Sequence, residues 1–214
     1  KISDVLNSNS YILGNEVKKF EKNFSKYLGI KYSLGVSNGT DALILALKAI
    51  DIKPGDEVIT TSHTAFATIA AIREVGAIPV FVDIKEDDFT IDTRYLKKKI
   101  TKKTKAIIIV HIYGNPADIL TVKKIAKKKK LILIEDCAQA HGAEYNKKKV
   151  GTFGDFSCFS FYPTKNLSTF GDAGMVSTNN HKLFKRLKLT REYGWIKKNL
   201  SVRDGYNKRI DELK

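Results

Sequence analysis

One lysine stands apart from the other basic residues of this chain. Lys165 follows a run of strand formers at 156–161, with Pro163 before it, Gly171 and Gly174 after it, and almost no charge nearby. Proline cannot donate to a strand ladder and bends the chain, which puts Lys165 just past a strand end. A half-buried lysine in such a place can have its amine pKa lowered enough to attack carbonyl carbons, which is imine chemistry. Asp136 is a second candidate, because it closes the apolar run 131–134. A carboxylate there is costly to bury unless a cation meets it, or else it caps the residues that follow. Glu135 points to the opposite face of the same strand and is the weaker candidate. The third feature is Ser-Asn-Gly-Thr-Asp-Ala-Leu at 37–43, where a short strand passes through small residues into a helix. This junction aims several backbone N–H groups at one spot and favours an anion there. It also reads as an ordinary N-cap by Asn38 or Thr40, with Asp41 in the first turn.

Together these parts suggest a cofactor. An imine-forming lysine, a carboxylate able to hold a protonated pyridine nitrogen, and a helix N-terminus for a phosphate are what pyridoxal 5′-phosphate (PLP) requires.

The elements that must position them follow from periodicity. Val17, Phe20, Phe24 and Tyr27 recur at helical spacing before Gly29, and 33–36 is a short strand feeding a helix that runs through Leu47. A turn at 53–56 leads to a strand at 57–61, an apolar helix at 66–75 ended by Gly76, and a strand at 79–82. Helices are expected at 93–100 and 119–130, with fully apolar strands at 106–110 and 131–136. Such alternation predicts an α/β fold, a layered and mostly parallel sheet with right-handed crossovers. Ligands bind beyond the carboxyl ends of the strands in a sheet of this kind. Residues 37–40, 61–64, 111–114, 136–139 and Lys165 should therefore line one crevice.

A chain of 214 residues, 43% of them hydrophobic and 10% aromatic, can bury a core as one globular domain. No apolar run approaches the roughly 18 residues needed to span a bilayer and no leader opens the chain, so no membrane partner and a cytoplasmic location are expected. Cys137 and Cys158 are too few for a disulfide framework and read as reduced and structural. The net charge of +15 is of the size that nucleic-acid binders carry. The lysines collect at 96–105, 123–130, 147–149 and 182–188, on helix faces and in turns without interleaved aromatics, so no specific nucleic acid is expected. Nothing in the pattern calls for a metal.

The motifs carry a resemblance as well. Ser-Asn-Gly-Thr-Asp-Ala-Leu at 37–43, Glu-Asp-Cys-Ala-Gln-Ala-His-Gly-Ala at 135–143, Ser-Phe-Tyr-Pro-Thr-Lys-Asn-Leu at 160–167 and Gly-Asp-Ala-Gly at 171–174, in this order, resemble the DegT/StrS-type nucleotide-sugar aminotransferases, fold type I PLP enzymes. The similarity runs from Ile-Leu-Gly at 12–14 to the segment 205–212. It implies the large domain of that fold, a three-layer αβα unit with a mostly parallel mixed sheet over 1–214, together with part of the N-terminal segment. The family's smaller C-terminal domain would lie beyond the Asp-Glu-Leu at 211–213, so the chain reads as a piece of a longer protein.

The resemblance also implies residue roles. Lys165 would form the imine with the cofactor and carry a proton between donor and acceptor carbons. Asp136 would pair with the pyridine nitrogen, Gln139 would hydrogen-bond the ring hydroxyl, and Gly39, Thr40 and Ser160 would hold the phosphate. Ala138 would lie against one ring face. Asn207 would reach the phosphate of a neighbouring subunit, which implies a homodimer with shared active sites. Arg191 or Tyr193 would bind or steer a substrate diphosphate, with surface packing the alternative for each. Where the family places an aromatic residue to stack on the ring, this chain has Ala65, with Phe66 next, so either His63 or another group covers the ring or the cofactor is held more loosely. The implied activity is ping-pong transfer of an amino group from L-glutamate to a C3 or C4 ketone of a nucleotide-linked deoxysugar. A keto-cyclitol aminotransferase and a PLP-dependent sugar dehydratase are the enzymatic alternatives, although the dehydratases carry histidine where Lys165 stands. A regulatory, nucleic-acid-binding protein that kept the fold is the third.

Overall fold

The computed structural model of the protein describes residues 2–214. After α1 (Ile2–Ser8) and α2 (Asn15–Leu28), strands and helices alternate: β1 (Tyr32–Val36), α3 (Gly39–Ala49), β2 (Glu57–Thr60), α4 (Phe66–Glu74), β3 (Ile78–Phe81), α5 (Thr93–Lys99), β4 (Thr104–Val110), α6 (Ile119–Lys129) and β5 (Ile132–Asp136). A small hairpin, β6 (Glu144–Tyr145) with β7 (Lys148–Lys149), precedes β8 (Phe156–Ser160), β9 (Gly174–Thr178) and α7 (His181–Arg191), and a second hairpin pairs β10 (Trp195–Lys197) with β11 (Leu200–Ser201). Gly29 and Gly76 lie just beyond α2 and α4 with φ of 77° and 82°, conformations that a Cβ would strain, and this is why those helices stop where the sequence places glycine.

Seven strands form one sheet in the order β1-β9-β8-β5-β4-β2-β3. All neighbouring pairs are parallel except the two that involve β9. The apolar run of β4 shows why the sheet needs helices on both sides. Ala106 and Ile108 enter one core with α3, α4 and α7, while Ile107 and Ile109 enter another with α5 and α6. The three isoleucines are fully buried, each worth about 1.5–3 kcal/mol relative to exposure. Farther along the second face, α2 packs Val17, Phe24 and Leu28 on Phe159, Phe161 and Met175. The result is a three-layer αβα unit.

Periodicity missed β9, the antiparallel strand that fits between β1 and β8. Its first residue pairs with both Val36 and Ser160. Gly174 is required at that point, because a Cβ there would sit 2.4 Å from the Asn38 carbonyl oxygen. The close approach lets three chain segments meet under the start of α3.

Many lysines cluster in the last turns of α5 and α6, where the helix dipole favours cations. Among the described residues no helix is long and apolar enough to cross a membrane.

Candidate active site

A cavity of about 480 Å³ opens at the carboxyl ends of the parallel strands. Gly39, Thr40, Asp136, Gln139, Ser160 and Lys165 all line it, brought from three separate segments of the chain. Thr64, His111 and Ile112 join them, whereas 61–63 and 113–114 stay outside this cavity.

The start of α3 forms one wall. Asn38 caps the helix by accepting the Asp41 N–H at 2.8 Å. The N–H groups of Gly39 and Thr40 are among those that helix geometry leaves without an intrahelical acceptor. The N-cap reading of 37–43 is met by Asn38, and the cap consumes one donor while leaving others open to an anion. Gly39 lies so close to β8 that an added Cβ would stand 2.7 Å from the Ser160 Cβ, which holds the Ser160 hydroxyl beside the helix start. Asp41 contributes an opposing charge at this wall, but Lys208 pairs with it, and Ser37 and Asn38 donate to its other oxygen.

Asp136 ends β5 with 6% exposure. No helix follows it; instead one oxygen accepts the Ala138 N–H at 3.1 Å in a turn, and the other accepts the Thr68 hydroxyl at 2.8 Å. Burial pushes the carboxyl above its ordinary value, opposed by these two donors and by His111 and Lys165. Among the described residues no cation stands in ion-pair contact with it, so a buried carboxylate faces the cavity without a positive partner. A protonated pyridine nitrogen is the group this arrangement fits.

Glu135 points to the other face and is saturated. It accepts the N–H groups of Gly151, Phe153 and Gly154 and contacts His111 Nε2 at 3.2 Å. His111 Nδ1 accepts the Ala117 N–H, so Nε2 carries the proton and donates to Glu135. His111, Glu135 and Cys137 bring possible ligand atoms within 4.8 Å of one another. The imidazole is committed on both nitrogens, however, and burial holds the Cys137 thiol well above its usual range. The trio is a structural network that pins the 151–154 loop to β5.

Gln139 is oriented by the chain itself. Its Oε1 accepts the Tyr113 N–H at 2.8 Å, which leaves its amide N–H₂ to donate into the cavity. Tyr113 adopts φ of 56° to make that contact.

Arg191 and Tyr193 lie elsewhere, and Asn207, expected at a neighbouring subunit's phosphate, also stands outside this cavity. Arg191 does not reach the cavity: it is 5% exposed, donates to Glu21 and to the Gly35 carbonyl oxygen at 2.9 Å each, and ties α7 to α2 and β1. A guanidinium placed at the end of a helix is drawn inward here by a half-buried carboxylate that lies 170 positions away. Tyr193 packs on Trp195 with Arg209 over its ring, also outside the cavity. Asn207 is exposed and outside as well, its Oδ1 held by Arg209 Nε at 2.8 Å. Phe66 does not replace the missing stacking residue, since it is 77% exposed. His63 lies outside the cavity, in contact with Phe89 and Tyr113. Thr68, which sequence reasoning passed over as an ordinary helix residue, is the contact of Asp136 that it missed.

Comparison with known proteins agrees with this geometry. The description "DegT/DnrJ/EryC1/StrS aminotransferase family" matches residues 1–214. The chain belongs to that family. This DegT-family chain is 50% identical over 209 residues to the dTDP-3-amino-3,6-dideoxy-alpha-D-galactopyranose transaminase of Aneurinibacillus thermoaerophilus, covering 98% of the chain and 58% of the relative. It is 46% identical over 212 residues to the "Pleiotropic regulatory protein" of Geobacillus stearothermophilus, covering 99% and 57%. Among solved structures, S. venezuelae DesV in complex with a ketimine intermediate superposes with a TM-score of 0.96 at 44% identity, over 99% of this chain and 57% of DesV. The chain thus spans a little under three fifths of the length of the relatives it matches.

Proposed function

We propose that the protein is a PLP-dependent aminotransferase that moves an amino group from L-glutamate to a C3 or C4 ketone of a nucleoside-diphosphate-linked deoxysugar, in the biosynthesis of polysaccharide or other amino sugars. The observation that carries this reading is the convergence of Lys165, Asp136 and the N-terminus of α3 on one cavity. The sugar-transaminase relative supports the substrate class.

PLP, when bound, supplies a reactive carbonyl carbon and a ring that accepts electrons from the substrate carbon. Lys165 would supply the amine that anchors the cofactor and would hold and return a proton at the substrate carbon in each half of a ping-pong cycle. Asp136 would hold the ring nitrogen protonated, and that cation would relieve the cost of burying the carboxylate. The Gly39 and Thr40 N–H groups and the Ser160 hydroxyl would bind the phosphate. Gln139 donates its free amide N–H to the ring hydroxyl, and Ala138 supplies an apolar wall. Asn207, whose amide N–H₂ is left free outside its own cavity, suits contact with the phosphate of a second subunit in a homodimer.

A keto-cyclitol aminotransferase would use the same residues, and a panel of ketone substrates separates the two. A dehydratase is disfavoured by Lys165 itself. A purely regulatory protein would bind DNA or RNA tightly and with steep salt dependence, whereas the enzyme binds only weakly. The direct test is reconstitution of the complete protein with PLP. A visible absorption band should form and should be lost, along with glutamate-dependent amination, in Lys165→Ala. A wild-type protein that gains no band would overturn the proposal.

A further inference from the structure

Helix α4 starts in an unusual way for its sequence. Its N-cap position is Ala65, which offers no side-chain hydrogen bond. Yet Thr64 beside it and Thr68 in its first turn carry the hydroxyls that usually close helix ends or bond back to nearby carbonyls. Both are used elsewhere. Thr68 is fully buried and donates to Asp136 Oδ2 at 2.8 Å, and Thr64 Oγ1 lies 2.8 Å from Thr68 Oγ1. Thr68 has a single hydroxyl proton and gives it to Asp136, so Thr64 must be the donor between the two threonines. A chain of two aligned hydroxyls thus runs from the cavity wall, where Thr64 lies, to the buried side of the carboxylate. Local preferences set aside in this way concentrate at functional sites.

We propose that Thr68 is a positioning residue for Asp136, and that Thr64 and Thr68 form a hydroxyl relay that fixes the carboxylate rotamer and favours its ionised form. The inference rests on the PLP reading above and deepens it, by naming what prepares Asp136 for a cationic ring. Other groups near the carboxylate are already committed. His111 gives its proton to Glu135, Glu135 is saturated on the opposite face, and Cys137 and Cys158 are thiols raised by burial. Lys165 comes from the loop beyond β8 and is the group reserved for the carbonyl. The Ala138 N–H fixes only one oxygen. Thr68 therefore holds the second oxygen, and its loss leaves that oxygen without a protein donor. The relay also explains why position 68 carries a hydroxyl rather than the apolar side chain that a fully buried helix position would otherwise favour.

The test measures binding of 4′-deoxypyridoxine 5′-phosphate, which has the ring and phosphate but no aldehyde, to the complete unloaded protein across pH. It therefore reads the ring site without Lys165 chemistry and without turnover. Thr68→Val should weaken binding about tenfold near neutrality, the value of one hydrogen bond to a charged group. It should also move the acid-side loss of affinity to higher pH, because a carboxyl with fewer donors takes up a proton sooner. Thr68→Ser should restore both, and Thr64→Val should move the acid limb the same way by less. A merely structural threonine would change thermal stability and leave the pH profile in place. Wild-type binding with both valine variants superimposed on it overturns the relay alone. A wild-type protein that binds neither the analogue nor PLP overturns the PLP reading and the relay with it. Should Thr68→Val fail to fold, Thr64→Val decides, and an unmoved acid limb overturns the relay.

Discussion

Glu212 closes the N-terminus of α2 from the far end of the chain. Its carboxylate accepts the N–H of Glu16 at 2.8 Å and of Val17 at 3.0 Å, across 196 and 195 positions. Helix α2 has no side-chain cap of its own, and a Cβ on Gly14 would lie 2.8 Å from the Glu212 carboxyl carbon. The capped helix in turn sets Phe24 edge-on to Phe159 and Phe161, the residues that lead to the Lys165 loop. Glu212→Ala should therefore cost about 1–2 kcal/mol, the range of a lost N-cap. It should lower the thermal midpoint while leaving saturating PLP able to react, as seen by calorimetry beside an absorption spectrum.

Asp136 is predicted to trade stability for chemistry. Burial raises its carboxyl, so the folded chain holds that proton more tightly than the unfolded chain. The associated stability is present below the unfolded value of 3.8 and is lost as pH rises through the folded value. At neutral pH without cofactor the ionised group is a net cost. Asp136→Asn should thus raise the stability of the unloaded protein near neutrality, with the gain shrinking on acidification. The same variant should lose amination. Denaturant unfolding at several pH values checks the sign.

His141 behaves in the opposite sense. Its ring lies beside Phe159 and Phe161, and neither nitrogen has a partner in hydrogen-bonding geometry. Burial first, and then the Lys165 charge, push it down from 6.5 to about 4, against a weaker effect of the Ser160 backbone. Stability is complete above 6.5 and falls as the pH drops towards about 4, because the unfolded chain binds the proton first. His141→Phe keeps an aromatic ring in place and should flatten that fall by about 1 kcal/mol, discounted for the ring's partial contact with solvent. Thermal midpoints measured across this window decide it.

Arg191 belongs to the frame of the protein. The guanidinium is buried and Glu21 half-buried, and Glu21 keeps the Gly35 N–H when Arg191 is removed, so losing the pair costs about 1–3 kcal/mol. Arg191→Met should therefore shift the denaturation midpoint strongly. Affinity for a nucleotide-linked sugar, measured by calorimetry on the fraction that folds, should stay at the wild-type value.

Local order in this protein is written locally. The five-residue apolar run of β4 needed cover on both faces, glycine ended α2 and α4, and Pro163 after strand formers set Lys165 beyond β8. The rule that ligands gather at strand ends brought Gly39, Thr40, Asp136, Gln139 and Lys165 to one cavity without any knowledge of distances, while Ser160 was named only by the family resemblance. Other contacts were illegible for a physical reason: their partners are chosen by strand order and by packing across layers, which spacing along the chain does not encode. Thr68 finds Asp136 across 68 positions, Arg191 finds Glu21 across 170, and Glu212 finds α2 across 196. Strand β9 lies antiparallel between β1 and β8, which no period of hydrophobic residues announces. Sequence alone singled out Lys165, Asp136 and the 37–43 junction as the groups chemically suited to one site, and tertiary structure decided which side chains hold them in place and which, like Arg191, serve the frame instead, because those partners meet only through packing across layers.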